Sequence, residues 1–171
     1  ISGYLISSIL LKNLESDNFE LTDFYIRRIR RICPSLILVL ASSLVVGWFF
    51  FLADEYAQLG KHVAAGAGFV SNLVLWRDSS YFDNDAANKP LLHLWSLGIE
   101  EQFYIIWPVL LWISYKAKWN FLAVTIIIGI SSFVLNIFQA NITFNSVADF
   151  YSPQTRFWEL LIGACLANLG L

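Results

Sequence analysis

Apolar residues run in long blocks along this chain rather than alternating with polar ones. Six blocks stand out: residues 1–11, 35–53, 62–76, 91–115, 121–138 and 157–171. A helix needs about 20 predominantly apolar residues to cross a bilayer. By that measure 35–53, 91–115 and 121–138 are predicted as transmembrane helices. Residues 1–11 read as the end of a helix and 157–171 as the start of a span. Pro34 is expected in the first helical turn, where its missing N–H costs least. Block 62–76 is small, Gly-rich and short of a full crossing. A crossing block must be helical, because lipid offers no partner to an unpaired backbone N–H or C=O. The pattern therefore predicts an all-α, polytopic transmembrane helix bundle. The chain starts at Ile1 inside an apolar block and contains no Met. Both ends are accordingly expected to be cut, with residues 1–171 forming part of a larger membrane domain.

Charge placement orients the blocks. Lys12, Arg27, Arg28, Arg30 and Arg31 lie between the first two, and Lys116 and Lys118 follow the fourth. The other connections hold Lys61, Arg77, Lys89 and Arg156, offset by Asp54, Glu55, Asp78, Asp83, Asp85 and Asp149. Cationic loops stay in the cytoplasm, so the first two groups are expected inside and the rest outside. Alternation then works only if 62–76 does not cross, which makes it a re-entrant or interfacial segment.

Composition supports the same picture. Hydrophobic residues make up 57% of the 171 and charged residues 14%, against roughly 45–50% and about 25% in soluble domains. Too few polar side chains remain to cover a water-soluble globule. A net charge of −2 gives no reason to expect nucleic acid as a partner; membrane lipids are the expected surroundings. Cys33 and Cys165 have no metal-ligand spacing and read as packed free thiols. No metal site is expected.

Three clusters could carry chemistry. In Phe24–Pro34, Arg27, Arg30 and Arg31 fall at i, i+3 and i+4 and share a helix face; Arg28 and Arg31 are also three apart. Such a cluster either anchors topology against anionic lipid or clamps phosphate through planar guanidinium forks. In the fourth block Glu100, Glu101 and Gln102 interrupt an apolar span. A charge there costs at least about 2.5–3.5 kcal/mol on insertion scales. These groups must face partners, as a structural network or as the wall of a functional cavity. His93, Glu100 and Tyr104 are expected on one helical face, His93 two turns from Glu100. Finally, Arg156 and Glu159 are three apart and either pair locally or reach Glu100 or Glu101. No Gly-rich nucleotide loop and no nucleophile-elbow serine is present.

Several strings in order resemble one family: Ser2-Gly-Tyr-Leu-Ile6, Arg27-Arg-Ile-Arg-Arg-Ile-Cys-Pro34, Tyr81-Phe-Asp83, the run from Asn88 through His93-Leu-Trp-Ser-Leu-Gly-Ile-Glu-Glu-Gln-Phe-Tyr104, and Thr155-Arg-Phe-Trp-Glu-Leu-Leu-Ile-Gly-Ala164. Together they are similar to membrane acyltransferase family 3, the OafA-type O-acyltransferases. The resemblance implies a complete protein of about ten transmembrane helices in the bacterial inner (cytoplasmic) membrane. It also implies an acyl-CoA donor, acetyl-CoA foremost, which is a substrate rather than a resident cofactor, and a surface-glycan hydroxyl as acceptor. Arg28 and Arg31 match its Arg-x-x-Arg donor element, with Arg27 and Arg30 at the same spacing. Glu100, Glu101 and Gln102 match its intramembrane acidic motif. The family's first helix, with a basic residue and a catalytic His, would precede Ile1, so this chain alone is expected to be inactive. On this reading His93, Glu100 and Glu101 are the catalytic candidates. Arg27, Arg28, Arg30 and Arg31 hold the donor, and Gln102, Tyr104, Arg156 and Glu159 line the substrate cavity. The rival reading from the residues alone is a proton- or ion-coupled transporter, which also carries intramembrane acids.

Overall fold

The computed structural model describes residues 1–15, 20–78, 91–141 and 146–170. Among them are eight helices and no strand: α1 Ser2–Glu15, α2 Leu21–Phe50, α3 Ala53–Ala67, α4 Ser71–Asp78, α5 Leu94–Lys116, α6 Phe121–Asn141, α7 Ser146–Tyr151 and α8 Pro153–Leu169. The all-α expectation holds. The Tyr81-Phe-Asp83 string and Asn88–Pro90 lie outside the described residues.

Two helices, α2 and α6, are long and apolar enough to cross a membrane. Their apolar side chains point outward: Ile37, Leu38, Val45, Trp48, Phe49 and Phe50 on α2 and Ile127, Ile130 and Val134 on α6 are all exposed. Water does not tolerate apolar faces of that extent, whereas lipid does. Helix α5 has 23 residues, enough to span. Its Glu-Glu-Gln triplet interrupts an otherwise apolar run. Helix α8 has 17 residues.

The boundaries depart from expectation in two places. Helix α1 runs on to Glu15, past the apolar block. Helix α2 begins at Leu21, so Pro34 sits inside it and does not open it. An interior proline removes one backbone hydrogen bond and costs about 3 kcal/mol; the long helical segments on both sides carry the helix through. The basic cluster and the following span are thus one rod.

The chain divides into two compact units, Thr22–Glu101 and Ile1–Leu21 with Gln102–Leu171. In the first, α3 runs antiparallel to α2. A Cβ at Gly47 would lie 2.4 Å from Leu59, and one at Gly66 would lie 3.3 Å from Leu40. Both contacts step by seven residues (47 to 40, 59 to 66), in opposite directions. The same Gly66 faces Leu94, where α5 begins. Block 62–76 therefore divides between the end of α3 and α4, with a turn at 68–70. Lys61 ties the two helices by donating to both carboxylate oxygens of Asp78 at 2.7 Å. Gly98 lets α5 approach this turn: a Cβ there would be 3.2 Å from the Phe69 carbonyl oxygen.

In the second unit α1 buries Ile6, Ser7, Leu10 and Leu14, the spacing of one helical stripe. Gly3 and Gly163 bring the backbones of α1 and α8 into contact. A Cβ on Gly3 would fall 1.9 Å from the Leu160 carbonyl oxygen, and one on Gly163 2.7 Å from the Tyr4 nitrogen. Between α6 and α8, Ser132 Oγ donates to the Gln154 carbonyl at 2.5 Å and accepts the Trp158 N–H at 3.0 Å. The fully buried Trp107 of α5 donates its indole N–H to Ser7 Oγ at 2.9 Å. Its ring stacks on Phe103, whose edge meets Phe157.

Candidate functional site

The basic cluster and the acidic motif meet in one ion pair. Arg28 Nη2 donates to Glu101 Oε1 at 2.9 Å, and Arg28 Nε lies 3.5 Å from Oε2. The first contact is a short charge-assisted hydrogen bond; the second is at the outer limit. The side chains are only 17% and 8% exposed, so little water screens the attraction.

Arg28 is the arginine of the cluster that turns inward, its side chain 17% exposed. Phe24, one turn before it, is buried. Arg27, Arg30 and Arg31 are exposed. Arg27 reaches only Asp23, one turn back, at 3.8 Å with both side chains largely in solvent. The Arg27, Arg30, Arg31 face read from the sequence exists as an outward basic surface, while Arg28 is separated from it.

On α5, Gly98, Ile99 and Glu101 are buried and Glu100 is half-buried. Because Glu101 pairs with Arg28, the acidic motif of α5 meets the basic cluster of α2.

His93 differs too. It belongs to the turn at 91–93 that precedes α5, beside Leu91 at a φ of +65°, and is exposed. The expected helical face shared with Glu100 and Tyr104 is therefore not continuous through it. Its backbone carbonyl accepts the Ser96 hydroxyl at 3.1 Å. The buried histidine is His62 on α3.

In the second unit Tyr104 is buried, its ring edge-on to Phe103, and Gln102 is half-buried. Of the two alternatives for Arg156 and Glu159, the local one is found: Arg156 Nη1 donates to Glu159 Oε1 at 2.8 Å. The Arg156 guanidinium also lies over the Phe150 ring at 4.9 Å. Exposure is 26% and 47% for this pair, so it contributes little energy. Among the described residues no group of three His, Cys, Asp or Glu is placed to hold a metal ion. Both cysteines are free and half-buried.

Comparison with known proteins points to one family. A family model described as an acyltransferase domain matches residues 1–171. An uncharacterized protein of Haemophilus influenzae is 34% identical over 98% of this chain and 71% of its own length. The peptidoglycan O-acetyltransferase OatA of Listeria monocytogenes is 36% identical over 98% of this chain and 28% of its own length. The chain thus spans less than a third of that relative. No solved structure matches it significantly.

Proposed function

We propose, from the premise that this chain belongs to the acyltransferase-domain family matching it over residues 1–171, that it carries part of an O-acyltransferase moving an acetyl group from acetyl-CoA to a glycan hydroxyl. The observation that carries this reading furthest is the Arg28–Glu101 pair, which joins the basic cluster to the acidic motif. The naming of the Listeria relative as a peptidoglycan O-acetyltransferase supports a cell-envelope glycan as the acceptor. The bacterial cytoplasmic membrane is the proposed location, with the chain crossing it several times.

In this mechanism the guanidinium groups of Arg27, Arg28, Arg30 and Arg31 receive the donor's phosphates from the cytoplasm. Arg offers planar paired N–H donors that match phosphate oxygens. Arg28 turns inward from the exposed three and pairs with Glu101. Half-buried Glu100 is the carboxylate assigned to assist proton transfer from the acceptor hydroxyl. Gln102 and Tyr104 continue along α5 as cavity-lining candidates.

The donor site is tested in membranes carrying the protein at its natural full length. Arg31→Ala is expected to raise the acetyl-CoA KM about tenfold, the loss of one charge-assisted contact worth about 1.4 kcal/mol. Protein level should not change, because Arg31 is exposed. An unchanged KM would remove the basic surface from donor binding.

A further inference from the structure

Glu101 reads from the sequence as a candidate proton-transfer group, but its surroundings fit a different task. We infer that Glu101 is a positioning residue that acts through Arg28, fixing the guanidinium from which the donor's phosphate is recognised. The inference rests on the acyl-CoA reading above and deepens it. Both carboxylate oxygens face the same guanidinium, at 2.9 and 3.5 Å. An oxygen engaged there is not presented to an arriving hydroxyl, and a general base must lie within hydrogen-bond reach of the proton it takes. The Glu101 side chain is 8% exposed, so an acceptor does not reach it from solvent.

Arg28, by contrast, needs a holder. Its side chain is only 17% exposed, where a long cationic group has no apolar reason to stay. An arginine also loses considerable rotamer freedom when ordered. Glu101 supplies the charge that keeps it inward and fixes the plane of its fork. The contacts reach the guanidinium through both Nη2 and Nε. Fixing that plane before the donor arrives removes an ordering cost from binding. Glu101 is therefore expected to affect donor recognition.

The test measures initial rates against acetyl-CoA concentration in membranes carrying the full-length protein. Wild type is compared with Glu101→Gln, Glu101→Asp, Arg28→Lys and the double variant Arg28→Lys/Glu101→Gln, at rates normalised to inserted protein. Glu101→Gln should raise the donor KM about tenfold or more, with the change falling on KM far more than on kcat. Glu101→Asp should recover part of it. The double variant should be no worse than the worse single one, because both changes break the same link.

A fall confined to kcat would overturn the inference, as would effects that multiply in the double variant. To separate positioning from folding, Arg28→Glu/Glu101→Arg restores opposite charges with the guanidinium on the other helix. It should recover protein level without recovering donor KM; recovery of both would make the pair merely structural and overturn the assignment. Wild type that transfers no acyl group from acyl-CoA would defeat the enzyme reading and this assignment with it. Wild-type transfer with an unmoved KM in Glu101→Gln would defeat this assignment alone.

Discussion

Truncating Arg28 leaves the Glu101 carboxylate buried with its charge partner gone, and breaking a buried pair from one side costs about 3–5 kcal/mol. Arg28→Ala is therefore expected to lower the amount of inserted, protease-resistant protein as well as donor binding. Replacing both partners by apolar residues of similar size, Arg28→Met with Glu101→Leu, should restore the protein level, since no buried charge remains. Transfer should stay lost. A double variant as poorly inserted as Arg28→Ala would show that the pair itself holds the fold. The sequence grouped Arg27, Arg30 and Arg31 on one face, which left Arg28 apart from them, but nothing local marked Arg28 as the one that turns inward. Its partner was not legible. Glu101 lies 73 residues away, and no local period records which of two adjacent acids meets which of four arginines.

Helices follow from the apolar blocks, and what joins them follows from small residues whose meaning emerges only in contact. Gly3 reads as an ordinary residue of a short motif, yet its missing Cβ is what lets α1 touch the backbone of α8. Gly3→Ala would place a carbon 1.9 Å from the Leu160 carbonyl oxygen. Overpacking of this kind costs about 1–3 kcal/mol, and a lower melting temperature of the purified protein in detergent is expected. Gly60, inside α3, has no neighbour within 4 Å of its absent Cβ. Gly60→Ala should stabilise by about 0.5–1 kcal/mol, the usual difference between the two residues within a helix. Equal effects from both substitutions would contradict the close α1–α8 contact. The element boundaries were harder to read than the elements. Pro34 looks like a helix start because an interior proline is costly, but the helix formers of 21–33 and the apolar run of 35–50 outweigh that one lost bond. His93 looked helical by continuation, and the turn at 91–93 took it out.

At the scale of the whole molecule the fold class was legible because lipid leaves so few options: apolar faces turned outward on α2 and α6 require helices. The path of 62–76 was less so. Its composition falls short of a full crossing, and the structure divides it between the end of α3 and α4. On the proposed re-entrant reading, 116–120 is expected in the cytoplasm and the start of α3 outside. In a Cys33→Ser/Cys165→Ser background, a membrane-impermeant thiol reagent added to whole cells should label Asp54→Cys and spare Lys118→Cys. Labelling of position 118 from outside would mean that 62–76 crosses after all.

The central claim is that this domain takes an acyl group from acyl-CoA and passes it to a glycan. The direct measurement is transfer of labelled acetyl from acetyl-CoA to cell-envelope glycan in isolated membranes, with the full-length protein present or deleted. Label is expected in the glycan only when the protein is present, and should fall in Arg31→Ala and Glu101→Gln at matched protein level. Absence of transfer from any acyl-CoA by properly inserted protein, with substrate flux that needs no donor, would contradict the enzyme and favour a transporter.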